Sequence, residues 1–420
     1  MRFVFSPPAG TAAGLLTLPW REPLASWQDS RLVEICQRGL SRHVVRFVAD
    51  NGTVYAVKEL HERLARREYR LLRRLHDLGV PAVEAVGVVV DRPGGLDATL
   101  VTRFLQYSSS YRALFANPRG SDLTGRLLDA LVELLVRLHL AGFMWGDCSL
   151  SNTLFRMDAG AFAAYLVDAE TSEMHPSLSD GQRAYDLDVA WERVAGDLAD
   201  LQAGELLPDG IDPFRVADDT VQRYQALWSE LTREEILLPA EQRYRIEDRL
   251  RRINELGFEV DEVELVDADG GSRLKLHTRV AEAGHHHRAL FARTGLDVGE
   301  NQARRFLNDI ASYRGCLEQS TGRPVPDVVA ASRWLTELYE PVVSAIPARL
   351  AGRLDAAEVF HEVLEHRWLL SEAAGRDIGT TAAMEDYFAT ILPQVPEDLT
   401  TAPGHEPGPA LRGPAAPVNP

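Results

Sequence analysis

The chain has 420 residues, 45% apolar and 25% charged, which is the composition of an ordinary globular protein with room for two or three domains. Lys and Arg number 45 against 62 Asp and Glu, a formal charge of −17. Such a chain repels nucleic-acid phosphates and anionic lipid, which excludes a general binder of either and leaves room only for a local basic site.

Cys36, Cys148 and Cys316 are odd in number and widely spaced, so neither a metal knuckle nor a disulfide framework is expected. No apolar run reaches the ~18 residues of a membrane span. The first twenty residues lack the layout of a signal peptide, and the compartment expected is the cytoplasm.

Residues 1–29 read as an N-terminal extension and 30–204 as the first domain. Within it, 44–48 is a β-branched strand, Asp50-Asn51-Gly52 a hairpin turn, and 53–58 the returning strand. Residues 62–77 carry Leu64, Tyr69, Leu71, Leu72 and Leu75 at helical spacing, and Gly79 ends that helix. Two more strands, 83–90 and 99–105, flank the turn at 91–95. A helix over 127–141 shows Leu128, Leu131, Leu135 and Leu138 on one face and closes at Gly142. Residues 143–152 have loop composition, and 153–156 with 164–168 read as a strand pair.

Order and spacing then matter more than any single residue. A strand ends at Lys58, and the next helix carries Glu68. A loop holds Gly146-Asp147 and, five residues on, Asn152; a strand ends at Asp168. Taken singly, Lys58 is a solvated strand-end lysine, Glu68 a helix-surface partner for an Arg, and Asp147 and Asp168 turn formers. Taken together they are what phosphoryl transfer from a nucleotide requires. A Lys neutralises phosphates and a carboxylate holds that Lys. A second carboxylate takes the hydroxyl proton, and an Asn with a third carboxylate holds Mg²⁺.

This segment, over about residues 35–200, resembles the atypical bacterial branch of the protein-kinase-like superfamily, the lipopolysaccharide (Kdo/WaaP-type) kinases and small-molecule phosphotransferases. The resemblance rests on Ala56-Val57-Lys58, Arg67-Glu68-Tyr69, the run Gly146-Asp147-Cys148-Ser149-Leu150-Ser151-Asn152 and Leu166-Val167-Asp168. It implies an α+β chain with a two-lobed protein-kinase-like fold. Asp147 would be the catalytic base, Lys58 the contact to the α- and β-phosphates, Glu68 its partner, and Asn152 and Asp168 the Mg²⁺ ligands. A hinge over 102–105, with Thr102 and Phe104, would meet the adenine of ATP. Gly39 and Ser41 would stand for a reduced phosphate loop, with Arg42 or His43 beside them. The metal Asp is followed by Ala169-Glu170 rather than Phe-Gly, and no activation segment ending in Ala-Pro-Glu follows, which argues against a protein substrate. Asp186, in Tyr185-Asp186-Leu187-Asp188, is a candidate brace for the catalytic loop.

The Arg-rich face of the 62–77 helix (Arg63, Arg66, Arg67, Arg70, Arg73, Arg74) reads first as a solvated face and second as an anion patch. Residues 205–392 read as a mostly helical domain: a helix over 240–256, a β-hairpin over 259–280, and helices over 299–317, 327–345 and 355–392. This part resembles the domain of unknown function that follows such kinase-like modules in some bacterial proteins. His285-His286-His287 invites a metal reading together with His277, but no carboxylate or Cys stands at ligand spacing; a surface or helix-start cluster is expected. Trp334 and Trp368 read as core anchors. The span 393–420, with eight prolines, reads as a disordered tail.

The function expected is an ATP- and Mg²⁺-dependent phosphotransferase acting on a hydroxyl of a small or lipid-linked carbohydrate-like acceptor. The alternative is a nucleotide-binding pseudokinase that serves as a regulatory or scaffold module for a protein partner. Neither nucleic acid nor a membrane span is expected.

Overall fold

The computed structural model describes residues 1–6, 14–35, 43–116, 122–232, 235–237, 242–255, 258, 260–267, 274–280 and 284–395. Two compact units result, one from residues 1–69 and 83–106, the other from 70–82 and 107–398.

The first unit is built on one antiparallel sheet. Its strands are β1 (Arg2–Phe5), β2 (Leu32–Val33), β3 (Val44–Asp50), β4 (Thr53–Leu60), β5 (Ala85–Val90) and β6 (Ala98–Arg103), in the order β1-β5-β6-β4-β3-β2. Asn51 and Gly52 turn β3 into β4 at φ of 47° and 79°, with Asp50 opposite Thr53; Asn-Gly tolerates the left-handed pair that a two-residue hairpin needs. Residues 1–6 and 14–29 are built into this unit. β1 is an edge strand, and Leu15, Leu18, Trp20, Leu24 and Trp27 cover Val48, Tyr55, Val57, Val86, Val89 and Val101. Buried Arg92 ties them down, donating to the carbonyls of Trp20, Glu22 and Asp97 and pairing with Glu59. The period of two along β4 sends Val57 and Glu59 to this covered face and Lys58 to the opposite one. Helix α1 (Glu62–Asp77) follows β4, over the residues its periodicity indicates.

In the second unit, β7 (Ser108–Ser110) leads into α2 (Tyr111–Ala116) and α3 (Leu123–Leu140). α3 starts earlier than its leucine period suggests, because Asp122 caps it, accepting from Gly125 N at 3.1 Å. β8 (Phe143–Met144), β9 (Thr153–Asp158), β10 (Ala161–Leu166) and β11 (Glu173–Met174) form two small sheets, β10-β9-β7 and β11-β8. α4 (Asp180–Ala203), opened by a Ser179–Gln182 capping box, and α5 (Pro213–Thr232) follow.

Next come β12 (Glu235–Leu237), α6 (Gln242–Glu255), β13 (Val260–Asp267) and β14 (Leu274–Val280). β12 adds a third strand to the expected hairpin, whose turn lies outside the described residues. The remaining helices are α7 (His285–Thr294), α8 (Glu300–Thr321), α9 (Asp327–Trp334), α10 (Glu340–Ser344), α11 (Ala356–Ala374) and α12 (Thr380–Thr390). The expected 355–392 helix is two helices, broken where Gly375 and Gly379 take φ of 64° and 77°. Trp334 anchors the core with Phe306, Tyr339 and Phe360. Trp368 does not: it is 61% exposed, because the fully buried stretch of α11 ends at Val363. Pro393 to Val395 are described, Arg353 donating to the Pro393 carbonyl at 3.2 Å; the rest of the Pro-rich tail lies outside the described residues.

Carboxylates lent between elements hold this unit together. The cap of α8 is Gly299, which has no side chain to satisfy the first amides. Asp158, at the end of β9, reaches in and accepts from Asn301 N at 3.0 Å and Gln302 N at 2.7 Å. A Cβ on Gly299 would stand 2.4 Å from that carboxylate, so glycine is needed there. Conversely Glu358 of α11, fully buried, accepts from the amides of Ala159 and Gly160 at the β9–β10 turn and from Gln302 Nε2. Arg156 and Asp355 add an ion pair at 2.7 Å.

Candidate active site

Lys58 Nζ lies 3.2 Å from Glu68 Oε2 and 3.4 Å from Oε1. Glu68 is 1% exposed, so it is a buried carboxylate neutralised by the lysine, not the exposed helical partner that its neighbours alone suggest. Thr102 lies inside β6, flanked by Ala56 of β4 and Ala85 of β5. Phe104 donates its N–H to the Val54 carbonyl at 2.9 Å and packs edge-on against Phe47. The stretch read as a hinge therefore begins as sheet. Gly39 and Ser41 lie outside the described residues, as does Arg42.

The loop carrying Asp147 is pinned from below. Asp186 of α4 is fully buried and accepts from two successive amides, Trp145 N and Gly146 N, each at 2.7 Å. The third partner of Asp186 is His139 Nε2 of α3, at 3.0 Å, and His139 Nδ1 meets the Tyr224 hydroxyl of α5 at 2.6 Å. This network assigns the proton to Nε2, so the ring donates to Asp186 and accepts from Tyr224. Gly146 has φ of 75°, and a Cβ there would sit 3.1 Å from the Thr171 carbonyl; the turn presenting Asp147 requires glycine. Further along, Asp197 accepts from Ser151 N at 3.0 Å, from the Ser151 hydroxyl and from Tyr111 Oη. Burial pushes the Asp197 carboxyl up, and these three donors pull it back. Cys148 is sealed in, its thiol driven well up by burial and by Asp186 and Asp147, so it is no nucleophile.

Asn152 Nδ2 donates to Asp147 Oδ2 at 3.0 Å and to the Asp147 carbonyl at 3.1 Å. That fixes the amide so its oxygen points away from Asp147. Val167 N donates to the Asn152 carbonyl at 3.1 Å, which sets Asp168 beside Asn152, and Asp168 Oδ1 accepts from Glu170 N at 2.9 Å. Among the described residues no three His, Cys, Asp or Glu side chains gather as a metal site. An amide oxygen and a carboxylate are two hard donors. They fit a Mg²⁺ whose remaining ligands are phosphate and water oxygens, and they do not fit zinc.

Residues 34–193 match the lipopolysaccharide kinase (Kdo/WaaP) family. That match suggests a kinase-like phosphotransferase and spans Lys58, Glu68, Asp147, Asn152, Asp168 and Asp186. Residues 226–392 match a domain of unknown function, DUF4032. Among solved structures the chain is similar to "WaaP in complex with acyl carrier protein", at 19% identity and a TM-score of 0.36, covering 61% of this chain and 99% of that one. No curated protein matches.

The sequence left His139 and Arg193, within the matched segment, and Asp197, just beyond it, unnoticed. Arg193 Nε lies 2.7 Å from Asp147 Oδ1. The available signal was helical spacing: Asp186, Arg193 and Asp197 recur at i, i+7 and i+11 along α4. Outside that segment, the histidine cluster is accounted for without metal. Glu300 accepts from His286 N and His287 N, both at 3.0 Å, and meets His286 Nδ1 at 2.8 Å. Burial raises the Glu300 carboxyl, but His286 and the two amides outweigh it and bring it to about 2. It is the cap that Gly284 cannot supply to α7. Arg305 contacts His361 and Arg304 contacts Asn301. No helix among the described residues is long and apolar enough to cross a membrane.

Proposed function

We propose that the chain transfers a phosphoryl group from ATP, with Mg²⁺, to a hydroxyl of a small or lipid-linked carbohydrate-like acceptor. The observation that carries this reading is the state of Asp147. Asn152 orients its carboxylate, and buried Asp186 anchors the backbone before it. Its Oδ1, buried, carries no hydrogen bond among the described residues and meets the Arg193 guanidinium at 2.7 Å. A general base needs that fixed direction, and Oδ1 becomes available to a hydroxyl once Arg193 moves aside.

Asp147 takes the proton of the acceptor hydroxyl as its oxygen attacks the γ-phosphorus of ATP, and the bond from that phosphorus to the β-phosphate oxygen breaks to release ADP. Lys58, held extended by Glu68, balances charge on the α- and β-phosphates. Asn152, through its amide oxygen, and Asp168 would hold Mg²⁺, which would supply neutralisation of phosphate charge. The family match supports the reaction class; the carbohydrate-like acceptor is inferred from that family's name and from the missing activation segment. Residues 30–204 act as the catalytic module and 205–392 as its brace.

The test is Asp147→Asn, which keeps the shape and removes the base. Turnover of ATP over a panel of sugars should fall by about 10²–10⁴-fold, with ATP affinity within a few-fold of wild type. Turnover that survives the substitution refutes the role of Asp147. ATP binding by a wild type that never turns over would favour the pseudokinase reading.

A further inference from the structure

Arg193 has no task in the mechanism above. Its Nε is held 2.7 Å from Asp147 Oδ1, while its own side chain is 59% exposed. Among the described residues Arg193 has no other polar partner. The guanidinium is thus anchored at one end and open at the other. The segment from Gly146 to Asn152 contains neither Lys nor Arg, so the cation beside the base comes from α4 and not from the loop. Stability does not exhaust its role: Asp147 is only 16% exposed, but the guanidinium is 59% exposed and largely screened by solvent. Catalysis by Asp147 alone does not account for it either, because a cation at Oδ1 competes with the hydroxyl that must approach there.

An incoming anion resolves the conflict. We propose that Arg193 reads an anionic group, phosphate or carboxylate, that the acceptor carries near the hydroxyl to be phosphorylated. This rests on Asp147 being the base. The guanidinium edge presents N–H donors in a plane that matches two oxygens of such a group. Drawn toward that group, Arg193 releases Oδ1 to the hydroxyl. In a chain of net charge −17 a local cation also offsets the repulsion an acidic acceptor meets. The other source of an anion at this position is the transferring phosphoryl of ATP, and the test separates the two.

Wild type, Arg193→Gln and Arg193→Lys are titrated calorimetrically with inorganic phosphate, glucose 6-phosphate and glucose, with and without Mg·ADP. ATP and ADP affinities are measured on the same proteins. The wild type should prefer glucose 6-phosphate to glucose, and Arg193→Gln should lose about tenfold to a hundredfold of that preference, the worth of a charged hydrogen-bonded contact. Arg193→Lys should keep part of it. The ATP-to-ADP affinity ratio should be the same in all three. A phosphate preference that is absent from the wild type, or equal in wild type and Arg193→Gln, overturns the proposal. So does a fall in the ATP-to-ADP ratio in Arg193→Gln, which would assign Arg193 to the nucleotide. Failure of the wild type to bind Mg·ADP would sink the kinase reading instead, and the titrations without nucleotide keep the two failures apart.

Discussion

Replacing Glu358 by alanine probes the joint between the kinase-family segment and the helices that follow it. The carboxylate accepts from Ala159 N at 2.7 Å, Gly160 N at 2.8 Å and Gln302 Nε2 at 2.7 Å, with no exposed surface. Alanine removes all three acceptances at once. It leaves two backbone amides and one side-chain amide buried without partners, at about 1–3 kcal/mol each. Against that stands the relief of no longer burying a charge. Breaking one side of a buried charged network typically nets about 3–5 kcal/mol of destabilisation, and that is the figure expected here. At roughly 2–4 °C per kcal/mol for a unit of this kind, the unfolding temperature should fall by roughly 6–20 °C. Glu358→Gln keeps the volume and one good acceptor, so it should lose less than half as much. The assay is thermal unfolding followed by circular dichroism, with urea unfolding as a second probe. A Glu358→Ala protein within about 0.5 kcal/mol of wild type, the range of an ordinary surface change, would refute the view that this carboxylate clamps the β9–β10 turn.

Asp186→Ala should cost about 3–5 kcal/mol for the same reason and abolish turnover, because Trp145, Gly146 and His139 lose a shared acceptor; unfolding curves and ATP consumption check it. Gly146→Ala should cost about 1–2 kcal/mol, from a left-handed backbone position that L-residues resist, and reduce turnover by displacing Asp147. Glu300 and Asp158 should give pH effects of opposite sign. Glu300 is depressed to about 2 from an ordinary 4.5, so its contribution, about 3 kcal/mol, is present at neutral pH and is lost as pH falls through that interval. Asp158 is raised to about 6 from 3.8 by burial, the amides of Asn301 and Gln302 opposing this and Glu358 and Glu133 adding to it. Its contribution is full below about 3.8 and lost, again by about 3 kcal/mol, as pH rises through about 6. Urea midpoints across pH 2.5–7 for wild type, Glu300→Gln and Asp158→Asn should show each slope vanish in its own variant.

The parts of the fold legible in the sequence are those set by local rules. The 51–52 turn, α1 and the strands that lead to Lys58 and Asp168 follow from turn chemistry and periodicity, although β4 runs on past Lys58 to Leu60 and β10 stops at Leu166, two residues before Asp168. The five-residue spacing from Asp147 to Asn152 is visible, but that the Asn152 amide turns back on the Asp147 carboxylate is seen only in the structure. What stayed hidden depends on distant contacts. His139 looks like the polar end of a leucine helix until Tyr224, 85 residues on, and Asp186, 47 residues on, are seen beside it. Gly299 and Gly284 look like uncapped helix starts because the capping carboxylates come from Asp158 and Glu300. Residues 1–29 look separable because Trp20 and Trp27 meet their partners only when the sheet has formed. Trp368 misled in the other direction: bulk and apolarity predict burial, but which face of α11 is covered is set by packing against its neighbours and not by the residue itself.

The central claim is a nucleotide site that depends on a metal held through Asp168. It is tested most directly by thermal unfolding of wild type and Asp168→Ala with ATP, each with and without Mg²⁺. A ligand at a hundred times its dissociation constant stabilises by about 2.7 kcal/mol. The account predicts a rise in the wild-type unfolding temperature that requires Mg²⁺ and is absent from Asp168→Ala. A wild type whose unfolding temperature ignores ATP, or a rise that the variant shows equally, would contradict it.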